Sequence, residues 1–178
     1  MEPYYQDIDL CIRPMLSEDI ELLLNAFHEQ QWEKPQEVLE TYLNKQNTHQ
    51  ASVFVAEWQG EIAGYTVLYP HASHGPFTDK GIPEISDFNV LKKYQRKGIG
   101  NKILDAAEQS AAKTSPAVCL GVGLHAGYGT AQRMYIKRGY IPDGSGVWYK
   151  DVPLPPYADC RNDDDLILYF SKQLSSAD

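Results

Sequence analysis

Asn89-Val-Leu-Lys-Lys-Tyr-Gln-Arg-Lys-Gly-Ile-Gly100, NVLKKYQRKGIG, leaves a β-rich apolar run and enters a helical one through a turn that holds four cations and two glycines. The helical run, residues 98–113, carries Ile99, Ile103, Ala106 and Ala107 on one face and stops before Pro116. A helix start presents backbone N–H groups with no intrahelical acceptor, together with the positive end of the helix dipole. Such a turn is a natural seat for phosphate. Gly98 and Gly100 let a bulky diphosphate approach the backbone without meeting a side chain, and Lys92, Lys93, Arg96 and Lys97 add charge at its edge. The pattern is not a Walker loop, because GxxxxGK[ST] is absent.

Outward from this turn the periodicity alternates between two kinds. Residues 8–15 predict a first strand, and Ser17 before Glu18, Asp19 and Ile20 predicts a capped helix carrying Leu23, Leu24 and Phe27. A second helix is expected from about Pro35, with Val38, Leu39, Tyr42 and Leu43 on one side. ASVFVAEW and EIAGYTVLY, separated by Gln59-Gly60, predict a hairpin. PHASHGPFTDKGIP reads as a surface loop bordering a site. In EISDFNVL, Ile85 is out of phase with Phe88 and Val90, which predicts a bulge. Downstream come a buried strand (AVCLGVGL), a short helix over about 130–138 ending at Gly139, and two closing strands. This order predicts one α/β domain over residues 1–178, with a mixed, mostly antiparallel sheet and helices on both faces.

Composition narrows the function. A formal charge of -8 disfavours nucleic acid and suits a cationic partner. No apolar run approaches the ~20 residues that cross a bilayer, and MEPYYQDIDL lacks the order of a signal peptide, so a cytoplasmic location is expected. Cys11, Cys119 and Cys160 are too few and too scattered for a disulfide framework, and no metal site is expected.

Val90, Gln95, Arg96, Lys97, Gly98, Ile99 and Gly100 stand in the pattern V-x-x-x-x-[QR]-x-x-G-x-[GA]. Downstream, YGTAQRMYIKRGYIPDG places Ala131, Tyr135, Gly139 and Tyr140 in the pattern N-x-x-A-x-x-x-Y-x-x-x-G-[FY]. In both, the chain resembles the GNAT superfamily of acetyl-CoA-dependent N-acetyltransferases. The one departure is Tyr128, which stands where the family has Asn. The resemblance implies that residues 90–100 hold the coenzyme diphosphate, that the Val90 backbone N–H bonds the thioester carbonyl, and that Tyr135 sits near the sulfur as a proton donor. It also implies a base at Glu84; strand phase and the expected bulge make Asp87 a second candidate, and a water chain could do the same work. Acetyl-CoA is then the cosubstrate and a small-molecule or peptide amine the acceptor, attacked in a ternary complex, and a homodimer is compatible with the family. A noncatalytic acyl-CoA sensor is the alternative on the same fold. GVGLHAG also invites a dinucleotide reading, but its third glycine is one position late.

Overall fold

The computed structural model describes residues 2–174. Among them are nine strands, mostly antiparallel, and four α-helices, the mixed class expected from the alternating periodicities. The chain divides into two compact units, Met1–Tyr69 with Ile85–Ser110, and Pro70–Glu84 with Ala111–Asp178.

The first unit contains β1 (Tyr5–Gln6), β2 (Leu10–Pro14), α1 (Asp19–Glu29), α2 (Gln36–Asn47), β3 (Ser52–Trp58) and β4 (Glu61–Tyr69). It also takes β5 (Glu84–Val90) from its second residue on, and α3 (Ile99–Ala112) as far as Ser110. Its strands are ordered β1-β2-β3-β4-β5. β3 and β4 pair antiparallel, with Val55 opposite Tyr65, and the turn between them has φ of 52° at Gln59 and 84° at Gly60. Two successive positive φ values match the twist of a tight hairpin. Val53 and Val55 of β3 share a core with Tyr65 and Val67 of β4, and Leu23, Phe27 and Leu39 of the two helices join it. Each of these apolar side chains contributes about 1.5–3 kcal/mol by leaving water.

The entry to α1 differs from the expected cap. Ser17 Oγ donates to the Glu18 carboxylate rather than accepting from the first turn. Asp19, fully buried, takes over: it accepts from Leu16 N at 2.7 Å and from both terminal nitrogens of Arg13, at 2.7 and 2.8 Å. Arg13 on β2 also reaches Glu57 on β3 at 2.5 Å, so one guanidinium joins two strands to the helix start. A buried charge of this kind is tolerated because it is paired and hydrogen-bonded on every side.

The second unit contains β6 (Ala117–Gly123), α4 (Gly129–Lys137), β7 (Ile141–Tyr149), β8 (Val152–Pro153) and β9 (Leu166–Gln173), its strands ordered β6-β9-β7-β8. Glu84, the first residue of β5, pairs parallel with Cys119 of β6. The segment between β4 and β5 is more than a surface loop. A 3-10 turn at Gly75–Phe77 buries Phe77, and Phe77, Ala72, Cys119 and Tyr169 form one cluster. Gly75 has φ of 67°, and a Cβ there would lie 2.3 Å from the Tyr169 ring. Composition hid this packing, because Gly, Pro and Ser dominate the segment around two apolar anchors.

Candidate active site

The basic turn lies wholly in the first unit. β5 ends at Val90, and Leu91 follows as a buried anchor whose N–H donates to Ala63 O at 2.9 Å. A 3-10 turn spans Lys92–Tyr94, and Gln95 Nε2 turns back to donate to Val90 O at 3.0 Å. Gln95 therefore braces the backbone beside the expected carbonyl-binding residue. Arg96 and Gly98 have φ of 64° and 82°, so the chain reverses twice in the left-handed region before α3 opens at Ile99. A Cβ built on Gly98 would meet nothing within 4 Å. The glycine thus keeps open a space at the start of a 14-residue helix, where amides and dipole favour an anion.

The lysines round this turn make contacts through their Nζ groups. Lys92 Nζ donates to Gln30 O at 3.3 Å, Lys93 lies 3.7 Å from Glu29, and Lys97 Nζ sits 5.0 Å from the centre of the Trp58 ring. Arg96 is exposed. Surface pairs of this kind contribute little to stability, so these side chains stay available to an incoming anion.

β5 carries the two candidate bases. Asp87 has φ of 47°, which breaks the alternation of the strand where Ile85 and Phe88 fall out of phase. On β4, a Cβ on Gly64 would lie 2.2 Å from Asn89 O and 3.0 Å from Val90 Cα, so only glycine permits this approach. Asp87 belongs to the first unit and is crowded with donors. Its Oδ2 accepts from Lys34 Nζ at 2.5 Å, Tyr65 Oη at 2.5 Å and Tyr42 Oη at 3.0 Å, and its Oδ1 from Asn89 Nδ2 at 2.8 Å. Burial, then the Asp87 charge, push both phenols well above their ordinary value, so they remain donors. Lys34 and Tyr65 carried no signal in the sequence, since they lie 53 and 22 positions away from Asp87.

Glu84, Tyr128 and Tyr135 belong to the second unit. Burial raises the Glu84 carboxyl above its ordinary range, and Asp151 adds to this, while His74 and a backbone N–H of Ser73 pull the other way. Asp151 is itself fixed by accepting from Gly75 N at 2.6 Å. Neither Asp151 nor Gly75 stood out in the sequence, because 76 positions separate them. Tyr135, on α4, is 5% exposed and packs edge-on against Tyr140 with ring centres 5.7 Å apart. Burial, and then the Tyr128 phenol, raise its pKa, so it keeps its proton throughout the neutral range. Tyr128 Oη donates to Asp164 at 2.9 Å, and its ring lies 4.6 Å from His125. His125 in turn accepts from Gly127 N and lies 3.0 Å from the same Asp164 oxygen. Tyr128 and His125 thus fix the turn into α4, with Asp164 as their shared partner.

The profile of the acetyltransferase (GNAT) domain matches residues 18–158. An N-acetyltransferase of Bacillus subtilis strain 168, YhfO, described as uncharacterized, shares 32% identity over 101 residues. That stretch is 57% of this chain and 66% of YhfO, just under two thirds of its length. Among solved structures, the Salmonella typhimurium acetyl transferase that modifies the N-terminal serine of ribosomal protein L7/L12 superposes with a TM-score of 0.73, at 11% identity over 98% of this chain and 100% of its own. The yncA protein of Salmonella typhimurium, solved with its cofactor acetyl-CoA, gives 0.66 at 16% identity, over 95% of this chain and 96% of its own. Ard1 from Thermoplasma volcanium gives 0.67 at 18% identity, covering 94% and 99%. These three likenesses concern the fold.

Proposed function

Because the chain belongs to the GNAT acetyltransferase family and is an acyltransferase, we propose that it moves an acetyl group from acetyl-CoA to a primary amine of a small molecule or peptide, by direct attack with both bound. The open, positively framed turn at Gly98 is the observation that carries this reading, since it fits a diphosphate. The acetyl-CoA in the yncA structure supports the same assignment. One acetyltransferase domain over residues 1–178 belongs to this proposal, supported by a family match that runs through both units. Its place is the cytoplasm, which suits three free thiols.

When bound, acetyl-CoA supplies the acetyl group as a thioester with a polarisable carbonyl and a thiolate leaving group. The residues that would hold it are Val90, Gln95, Arg96, Lys97, Gly98, Ile99 and Gly100, and Tyr128 is proposed as a further coenzyme contact. The Val90 backbone N–H would donate to the carbonyl oxygen, on a residue whose own carbonyl Gln95 Nε2 holds in place. Glu84 accepts a proton from the acceptor ammonium, a role suited to a carboxylate whose pKa burial has moved toward neutrality. Asp87 is the second candidate, and its carboxylate accepts from Lys34, Tyr65, Tyr42 and Asn89. Tyr135, whose phenol burial keeps protonated, is assigned the role of giving a proton to the departing sulfur, with the nitrogen's second proton restoring the phenol as the C–S bond breaks and the amide forms.

The test is thiol release from acetyl-CoA against a panel of amines, with Tyr135→Phe beside the wild type. Transfer to at least one amine is expected, with kcat lowered by about 10²-fold in the variant and coenzyme affinity unchanged. Coenzyme binding without release under every amine would leave a binding module only.

A further inference from the structure

The donors round Asp87 make a particular kind of site. Lys34 brings a primary ammonium to Oδ2 at 2.5 Å and holds it 5.6 Å from the centre of the Tyr65 ring. A carboxylate beside an aromatic face is the standard surrounding of a bound alkylammonium, with the charge met by the acid and the methylene stem by the ring. Both side chains are largely withdrawn from water, at 12% and 18% exposure. Tyr42 and Tyr65 fix the carboxylate by donating to the same oxygen, and Asn89 fixes the other. Asp87 adopts a left-handed backbone, a conformation of the sort that folds tolerate where a side chain must be aimed.

The anchoring of Lys34 is unlike that of its surroundings. It belongs to the stretch 32–35, which has neither helix nor strand, between the end of α1 at Glu29 and the start of α2 at Gln36. Its neighbours Trp32, Glu33 and Pro35 are exposed. Withdrawing Lys34 therefore breaks its contacts with Asp87 and Tyr65 and leaves the core of the two helices intact. The cation is held by a site of fixed walls, on a flexible lysine stem whose own torsions can carry it outward while Trp32 stays packed on Phe27, with ring centres 5.4 Å apart.

We infer that Asp87, Tyr65 and Tyr42 form the ammonium-binding subsite for the acceptor, and that Lys34 is its resident occupant, displaced when a primary alkylammonium binds. This rests on the acetyltransferase reading above and names its acceptor class: a cationic primary amine on an unbranched alkyl stem, the chemistry that Lys34 itself presents. An internal competitor lowers apparent affinity by the fraction of time it fills the site, so removing it tightens binding. Ligands that cannot donate N–H bonds to Oδ2, or that carry no charge, have no means of displacing it.

The experiment uses n-butylammonium as probe and 1-butanol as control on the coenzyme-free protein. In the wild type, n-butylammonium should move the Lys34 ¹³Cε resonance saturably toward the position of a solvated lysine, and 1-butanol should not. Lys34→Ala should bind n-butylammonium about tenfold more tightly than wild type by calorimetry. Lys34→Gln, which keeps a donor to Asp87 without the charge, should also bind more tightly, and circular dichroism checks that each variant is folded. Asp87→Asn should abolish both the displacement and the binding. A Lys34 resonance unmoved at saturating n-butylammonium, or variants that bind it no better than wild type, would overturn the subsite and leave Lys34 a fixed clamp. Displacement together with absent thiol release would uphold the subsite and fault the acetyltransferase reading instead.

Discussion

Glu84 and Asp87 stand three positions apart on one strand, in different surroundings. Asp87 is ringed by donors; Glu84 meets burial and a neighbouring acid, which hold its proton to higher pH than in the unfolded chain. The sign follows from linkage. The folded state binds the Glu84 proton more tightly than the unfolded state, so this contribution to stability is fully present below the ordinary carboxyl value and is lost as pH rises through the raised one. Glu84→Gln should therefore be more stable than wild type at neutral pH, with the difference shrinking toward pH 4, as read by urea unfolding across that range. The same variant should flatten the acidic limb of kcat against pH. An unchanged limb would move the base to Asp87 or to water.

At the scale of elements, the closeness of β4 to β5 rests on one missing side chain. Gly64→Ala would place a Cβ against the Asn89 carbonyl and Val90 Cα, both backbone atoms that cannot step aside without parting the strands. A loss of about 1–3 kcal/mol is expected in urea unfolding, and coenzyme affinity should fall with it because Val90 moves. Much of this level was legible in the sequence. Gln59-Gly60 marked the hairpin, the phase slip between Ile85 and Phe88 marked the irregularity realised at Asp87, and the inward face of α3 was read correctly, with Ile99, Ile103, Ala106 and Ala107 all buried. The two-residue strands β1 and β8 left no trace, because a period of two cannot show in so short a run. The partners of Asp87 and Glu84 were also invisible, since tertiary folding joins residues whose spacing follows no local period. Ser17 misled for a related reason: Arg13, six positions before Asp19, gave that acid a stronger partner than a helix cap could offer.

For the molecule as a whole, the formal charge of -8 sets up a field that draws in cations and is damped by salt. At saturating acetyl-CoA, kcat/KM for a cationic amine should fall several-fold between about 0.02 M and about 0.5 M salt. An aniline, uncharged at neutral pH, should show little change, and equal sensitivity of both would remove the steering. The pairing of Glu84 with Cys119 has a separate use. The Cys119 thiol is 1% exposed, donates to Pro83 O at 3.4 Å, and is pushed up to about 12 by burial and then by Glu84. Alkylating reagents attack thiolates, so this sulfur stays silent while the second unit is closed, whereas exposed Cys160 is modified at once. Mass spectrometry of a maleimide time course thus turns Cys119 into a built-in clock: the slow addition at this position times the opening of the strands that carry it, with no dye or engineered tag introduced into the fold.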